Sequence, residues 1–184
     1  PLPLTIANRL LRGEVLRLNE YPVSPVHEQN AVVLQELRAP LPRPDGLQLL
    51  LADALHPPFA AASLDLVVTP WFIDVCGADL RVVTQDVHRV LRQGGQWWIL
   101  GPLDFDTWLS RAYCVEEVRE LVEKGGFDVT RSECVSLPYF QSPYSGSQRT
   151  DTVVSIIATK ARGADSYATW LAQLDPALRL AMLE

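Results

Sequence analysis

The run ADLRVVTQDVHRVLRQGGQWWILG, Ala78–Gly101, is the most informative part of the chain. Leu80, Val83, Val87, Val90 and Leu91 recur at three- and four-residue spacing, which predicts a helix over 78–92 with one apolar face. Gly94-Gly95 is expected to end that helix as a C-terminal cap. Gln96-Trp97-Trp98-Ile99-Leu100 is apolar and too short for a helix, so it reads as a buried strand closed by Gly101-Pro102. Just upstream, Leu64-Asp65-Leu66-Val67-Val68-Thr69 is a second such strand, ended by Pro70. Strands alternating with helices in this way imply a mostly parallel, doubly wound sheet.

Working outward, Leu47-Gln48-Leu49-Leu50-Leu51, followed by Ala52-Asp53-Ala54, reads as a further buried strand. Leu4, Leu10, Leu11, Val15 and Leu18 predict one helix over 4–19, stopped by Pro22 and Pro25. Pro40, Pro42 and Pro44 mark 36–45 as an extended surface connection. Downstream, Val118, Leu121 and Val122 predict a helix over 115–124, capped by Gly125-Gly126. Phe127 to Val135 alternates like a strand, and TVVSIIAT at 152–159 is the strongest strand signal in the chain. A polar loop over 138–149 joins these two, which implies an antiparallel pair at one edge of a mostly parallel Rossmann-like sheet. The organisation expected is one α/β domain over 1–162 and a helical tail over 163–184, amphipathic from Ser166 to Leu183 and interrupted near Asp175-Pro176.

Composition narrows the partners. Hydrophobic residues make up 48% and charged residues 21% of 184, as in an ordinary globular domain. The net charge of −6 and the scatter of the basic residues argue against a nucleic-acid surface. Cys76, Cys114 and Cys134 lie far apart and suggest a reducing compartment. No apolar run reaches the roughly 20 residues of a membrane span. Cytoplasm is therefore the expected location. His27, His56 and His88 have no metal-ligand spacing, so no metal site is expected. A GxSxG nucleophile turn and a GxxxxGK[ST] phosphate loop are both missing.

Three segments in series carry a resemblance. They are Ala52-Asp53-Ala54 with Pro58-Phe59 and Ser63-Leu64-Asp65-Leu66-Val67-Val68; then His88-Arg89-Val90-Leu91-Arg92-Gln93-Gly94-Gly95; then Gly125-Gly126-Phe127. Together they resemble class I S-adenosylmethionine-dependent methyltransferases. In finer detail, Thr69-Pro70-Trp71-Phe72-Ile73-Asp74 and Gln96–Leu103 look like the carnosine N-methyltransferase-like branch, over roughly 4–162. The family's GxGxG loop would precede Leu4 and is not in this sequence, so the chain is expected to be the later part of such a domain, inactive by itself. Where the branch has Tyr-His after "GPL", this chain has Asp104-Phe105-Asp106, and Gln93 replaces the Pro of "PGG".

The resemblance implies S-adenosylmethionine as cofactor, if a glycine loop lies upstream, and a small nitrogen-containing metabolite or peptide as substrate. Asp53 becomes the adenine contact with Ala54 beside it, and Thr69, Pro70 and Trp71 the strand end passed by the methionine portion. Phe72 would wall the substrate side. Asp74 is the candidate to orient or deprotonate a nitrogen nucleophile; capping the helix near Ala78 is its other reading. Asp104 and Asp106 would attract a cationic amine. Tyr144 and Arg149, with Tyr139, lie in the loop that covers the substrate side in this family. Methyl transfer needs chiefly placement of nucleophile and methyl carbon in line, which such residues can supply.

Two other functions compete. A cofactor-free binding or scaffolding module would retain the sheet without the glycine loop. A nicotinamide oxidoreductase fits the "RVL-QGG" run and the terminal strand pair less well. The sheet also raises a question of pairing: Leu47–Leu51 must pair with Leu64–Thr69, pair with another chain, or stay open. An open edge invites association, so a homodimer through an unpaired sheet edge is a further expectation.

Overall fold

The computed structural model describes residues 2–41, 43–105 and 112–161. The chain divides into two units, Pro1–Ala52 with Pro138–Thr150, and Asp53–Leu137 with Asp151–Glu184.

In the first unit, α1 spans Leu2–Leu11 and ends at Gly13, whose φ of 82° suits a residue without Cβ. The single helix expected over 4–19 is therefore corrected. Beyond Gly13 the chain straightens into β1, Leu16–Glu20, which pairs antiparallel with β2, Val33–Leu37, from Leu16↔Leu37 to Glu20↔Val33. The Leu16, Leu18 pair suits a period of two as well as one of 3.6, and cross-strand partners settled the choice. Between the strands lies one turn of 3-10 helix, Glu28–Asn30. Leu47–Leu51 forms no strand, and Leu50 and Leu51 are exposed, which corrects the expected buried strand. With no neighbour to complete a ladder, an apolar run alone does not make one.

The second unit carries the sheet, in the order β3-β4-β6-β5. β3 is Leu64–Pro70, β4 is Leu91–Gly101, β5 is Phe127–Phe140 and β6 is Arg149–Lys160, the last two also contributing residues to the first unit. β3 and β4 run parallel, with Val67↔Trp97 and Thr69↔Ile99, and β4 pairs antiparallel with β6, with Trp97↔Ala158 and Ile99↔Ile156. Helix α2, Leu80–Val90, makes the crossover from β3 to β4, and α3, Val115–Lys124, precedes β5.

The helix before β4 ends earlier than its periodicity predicts. Leu91 is already extended, and Gly94-Gly95 lie inside β4 rather than capping α2. There they make a bulge: the register jumps from Leu64↔Leu91 to Leu66↔Gln96, with Gly94 at φ 74°. Lys160 supplies the end of the helix instead. Its buried Nζ donates to the carbonyls of His88 (2.6 Å) and Leu91 (2.8 Å), a cation placed where the helix dipole is negative.

The core lies on one face of this sheet. Leu80, Val83 and Val87 of α2 and Val118 and Val122 of α3 pack against Trp97, Ile99, Ile156 and Ala158. A Cβ on Gly125 would stand 2.3 Å from Cγ2 of Thr84, so glycine there is what lets the start of β5 approach α2.

Candidate functional site

The turn after β3 gathers the unusual features. Trp71 follows Pro70 with φ at 46°, a left-handed conformation that costs a non-glycine residue about 1 kcal/mol or more. Its backbone N–H donates to the Leu100 carbonyl at 2.6 Å, tying the ends of β3 and β4 together. Gly101 makes room: a Cβ there would lie 3.2 Å from both N and Cα of Trp71. Backbone bonds from Val75 and Cys76 to the Phe72 carbonyl (3.2 and 3.0 Å) then wind one helical turn. That turn carries Asp74 inward.

Asp74 is 4% exposed, and its Oδ1 meets no hydrogen-bond partner among the described residues. Burial raises its pKa, with the nearby Asp104 carboxylate adding to the rise, while the N–H groups of Asp104 and Val75 pull the other way. Capping of the next helix falls to Asp79, whose side chain accepts from the Arg81 N–H at 2.9 Å. Arg81 also forks onto both Asp79 oxygens at 2.8 Å, and Tyr113 donates its hydroxyl to Asp79 at 3.1 Å. Against burial, that guanidinium holds the Asp79 carboxyl below its ordinary value. Tyr113 in turn packs edge-on against Phe105, with ring centroids 5.6 Å apart. The residues leaving β4 are thus fastened beside the start of α2. Asp79 and Tyr113 are 34 positions apart, and no spacing rule connects them.

The expected site residues divide by place. Thr69 and Pro70 end β3, Trp71, Phe72 and Asp74 lie in the turn after it, and Asp104 lies in the loop after β4. Thr69 is buried, and its hydroxyl accepts from Trp97 Nε1 at 3.0 Å, so it is committed to the core. Phe72 packs against the core cluster. Asp53 and Ala54 are not brought to this turn. The Asp53 carboxylate accepts from the Leu55 N–H (2.9 Å) and pairs with His56 Nδ1 (3.0 Å), and these two partners lower its pKa. The segment after it is clipped to the far end of α2, where Arg89 donates to the carbonyls of Phe59 (2.9 Å) and Pro57 (3.2 Å). Tyr144 and Arg149 belong to the other unit. The Tyr144 carbonyl accepts from Val26 N–H at 3.4 Å, and the Arg149 guanidinium lies 5.6 Å from the centre of the Tyr139 ring. Asp106 lies outside the described residues. No group of three His, Cys, Asp or Glu among the described residues is arranged to hold a metal, and no described helix is long and apolar enough to cross a membrane.

His88 is not the plain surface residue its mid-helix position suggests. It packs edge-on against Phe127, centroids 5.5 Å apart, and burial together with the Lys160 charge lowers its pKa to about 4.

Residues 14–99 match the model of a family described as a methyltransferase domain. No curated protein matches the chain. Among solved structures, a SAM-dependent methyltransferase from Methanosarcina mazei is 13% identical, with 59% of this chain and 64% of that one covered and a TM-score of 0.46. A SAM-dependent methyltransferase from Thermotoga maritima, titled a possible histamine N-methyltransferase, is 21% identical over 62% and 65%, at 0.43. A third, from Aquifex aeolicus, is 13% identical over 64% and 56%, at 0.43. The chain spans about three fifths of the length of these structures. Its fold is α/β, with a mixed sheet in which β3 and β4 are parallel and β4 and β6 antiparallel.

Proposed function

We propose that the chain belongs to an S-adenosylmethionine-dependent methyltransferase of the carnosine N-methyltransferase-like branch, acting on a small nitrogen-containing metabolite or peptide. The observation that carries this reading is Asp74: a buried carboxylate with one unpartnered oxygen, on a strained turn beyond the carboxyl end of a parallel strand, where open α/β sheets place their ligands. S-adenosylmethionine, when bound, supplies an electrophilic methyl on a sulfonium. The residues present fit the acceptor side of such a group, while a glycine-rich loop and a carboxylate for its ribose are not among those described. Asp74 then accepts a hydrogen bond from the attacking nitrogen and takes up the proton that methylation releases, a task its raised pKa favours. The Trp71 ring walls the position of the acceptor, with Phe72 behind it. Asp104 draws an ammonium group toward the turn. Asp53 and Ala54 take the adenine side in this reading.

A second reading, a cofactor-free binding module, is favoured by one observation: both Asp53 oxygens are already engaged locally. Calorimetric titration of the protein with S-adenosylmethionine and with S-adenosylhomocysteine separates the two. Heat of binding is the expected result. Its absence for both ligands would remove the methyltransferase reading and leave the module.

A further inference from the structure

β5 closes the sheet on one side, and among the described residues its one neighbour in the order β3-β4-β6-β5 is β6. The two strands differ in their surroundings. β6 is largely buried from Asp151 to Lys160, whereas every residue of β5 from Thr130 to Ser136 is exposed. Both faces are thus open there, and the outer edge presents a row of backbone N–H and C=O groups, a template for another strand. Strands added beyond β3, at the opposite end of the order, leave this edge as it is.

The edge is also self-complementary. It reads Val129-Thr130-Arg131-Ser132-Glu133-Cys134-Val135. Two copies of one strand paired antiparallel about a twofold axis must set one residue opposite its own copy. Centred on Ser132, the register puts Arg131 opposite the partner's Glu133, Thr130 opposite the partner's Cys134 and Val129 opposite the partner's Val135. Centred on Arg131 or Glu133 it would set like charges face to face, and centred on Thr130 or Cys134 it would set both charges against apolar residues. Facing residues point to the same side of a sheet. Each Arg131 therefore stands between two carboxylates, the Glu133 of its own strand, already at 2.6 Å, and the partner's. A guanidinium has five N–H donors, enough for both. Charges that guard an edge against pairing do so by meeting their like in a second copy; about Ser132 both central charges meet their opposites.

We propose that β5 pairs with β5 of a second copy of this chain, antiparallel and centred on Ser132, so that two sheets join into one. The ladder runs from Asp128 to Ser136, all within the second unit. It supplies about eight to ten backbone hydrogen bonds, close to the number a typical protein interface carries. Exposed ion pairs add little affinity by themselves; the backbone bonds hold the pair together and the charges fix its register. The pairing rests on this edge alone and is independent of the methyltransferase reading.

Sedimentation of the full chain over the micromolar range should show a reversible dimer. Arg131→Glu and, separately, Glu133→Arg turn both opposite-charge contacts of the dimer into like-charge ones, and each should weaken dimerisation about tenfold or more. The double exchange restores opposite pairs and should return the affinity close to that of wild type. In a Cys134→Ser background, Ser132→Cys sets two thiols on facing residues, about 4.5–5.5 Å apart at Cα and within disulfide reach, so mild oxidation should link the dimer. Ser136→Cys in the same background stands about 27 Å along the ladder from its copy and should stay unlinked. Should the single charge variants fail to fold, the two cysteine variants decide alone. A wild-type chain that is monomeric throughout that range overturns the proposal. So does a dimer that Ser132→Cys fails to link or that Ser136→Cys links as well, and so does a double exchange that binds no better than the single variants.

Discussion

Replacing Asp74 by Asn should make the protein more stable at neutral pH, not less. Above its raised pKa the wild type holds an ionised carboxylate that is 4% exposed and has one oxygen without a partner among the described residues. A buried charge incompletely satisfied costs several kcal/mol. The Asn amide keeps an oxygen for the N–H groups of Asp104 and Val75, sheds the charge, and leaves at most one neutral NH2 unsatisfied, a loss of about 1–2 kcal/mol. The net gain expected is about 1–2 kcal/mol, or roughly 2–8 °C in Tm for a chain of this size. The pH dependence follows from the raised pKa. A carboxyl whose folded pKa lies above the unfolded value of 3.8 adds stability that is full below 3.8 and is lost as pH rises through the folded pKa. The advantage of Asn should thus be largest at pH 7 and shrink toward pH 4. Urea unfolding at both pH values measures this. A variant less stable at pH 7, or a gap that does not narrow with acid, would mean that the carboxylate is a well-satisfied structural group. If the methyltransferase reading holds, the same substitution costs turnover while cofactor affinity is retained, the trade expected of a residue kept for function at the expense of stability.

Two further outcomes test other parts of the structure. His88 is held neutral by burial and Lys160, with its pKa lowered from 6.5 to about 4, so its contribution to stability is present above 6.5 and is lost as pH falls toward 4; His88→Gln should flatten that limb of the acid titration, and an unchanged limb would assign it to other groups. Gly101→Ala places a Cβ 3.2 Å from two backbone atoms of Trp71 and should cost about 1–3 kcal/mol, with a changed near-ultraviolet tryptophan signal; a loss below 0.5 kcal/mol with an unaltered signal would show that the Trp71 turn yields freely.

The parts of the fold that were legible in the sequence are those whose information is local. β3, α2, β4, α3 and the two last strands fall where the apolar period changes between 2 and 3.6, because amphipathic spacing reports which face of an element is buried. Even so, Leu16 and Leu18 suited either period, and pairing with Leu37 and Gln35 decided for a strand.

What the sequence by itself determined is the strand–helix–strand succession, the glycine positions around it, and the presence of Asp74 just beyond the β3 strand. Tertiary structure alone decided which acid is buried. Asp53 and Asp74 each follow an apolar run, yet Asp53 finds His56 within its own turn while Asp74 is carried under the loop that leaves β4. Desolvation depends on what packs above a residue, and those neighbours come from about 30 positions along the chain, as Gly101 does for Trp71 and Tyr113 for Asp79. The same reason explains Lys160, a strand-end lysine in the sequence and the C-terminal cap of α2 in the fold.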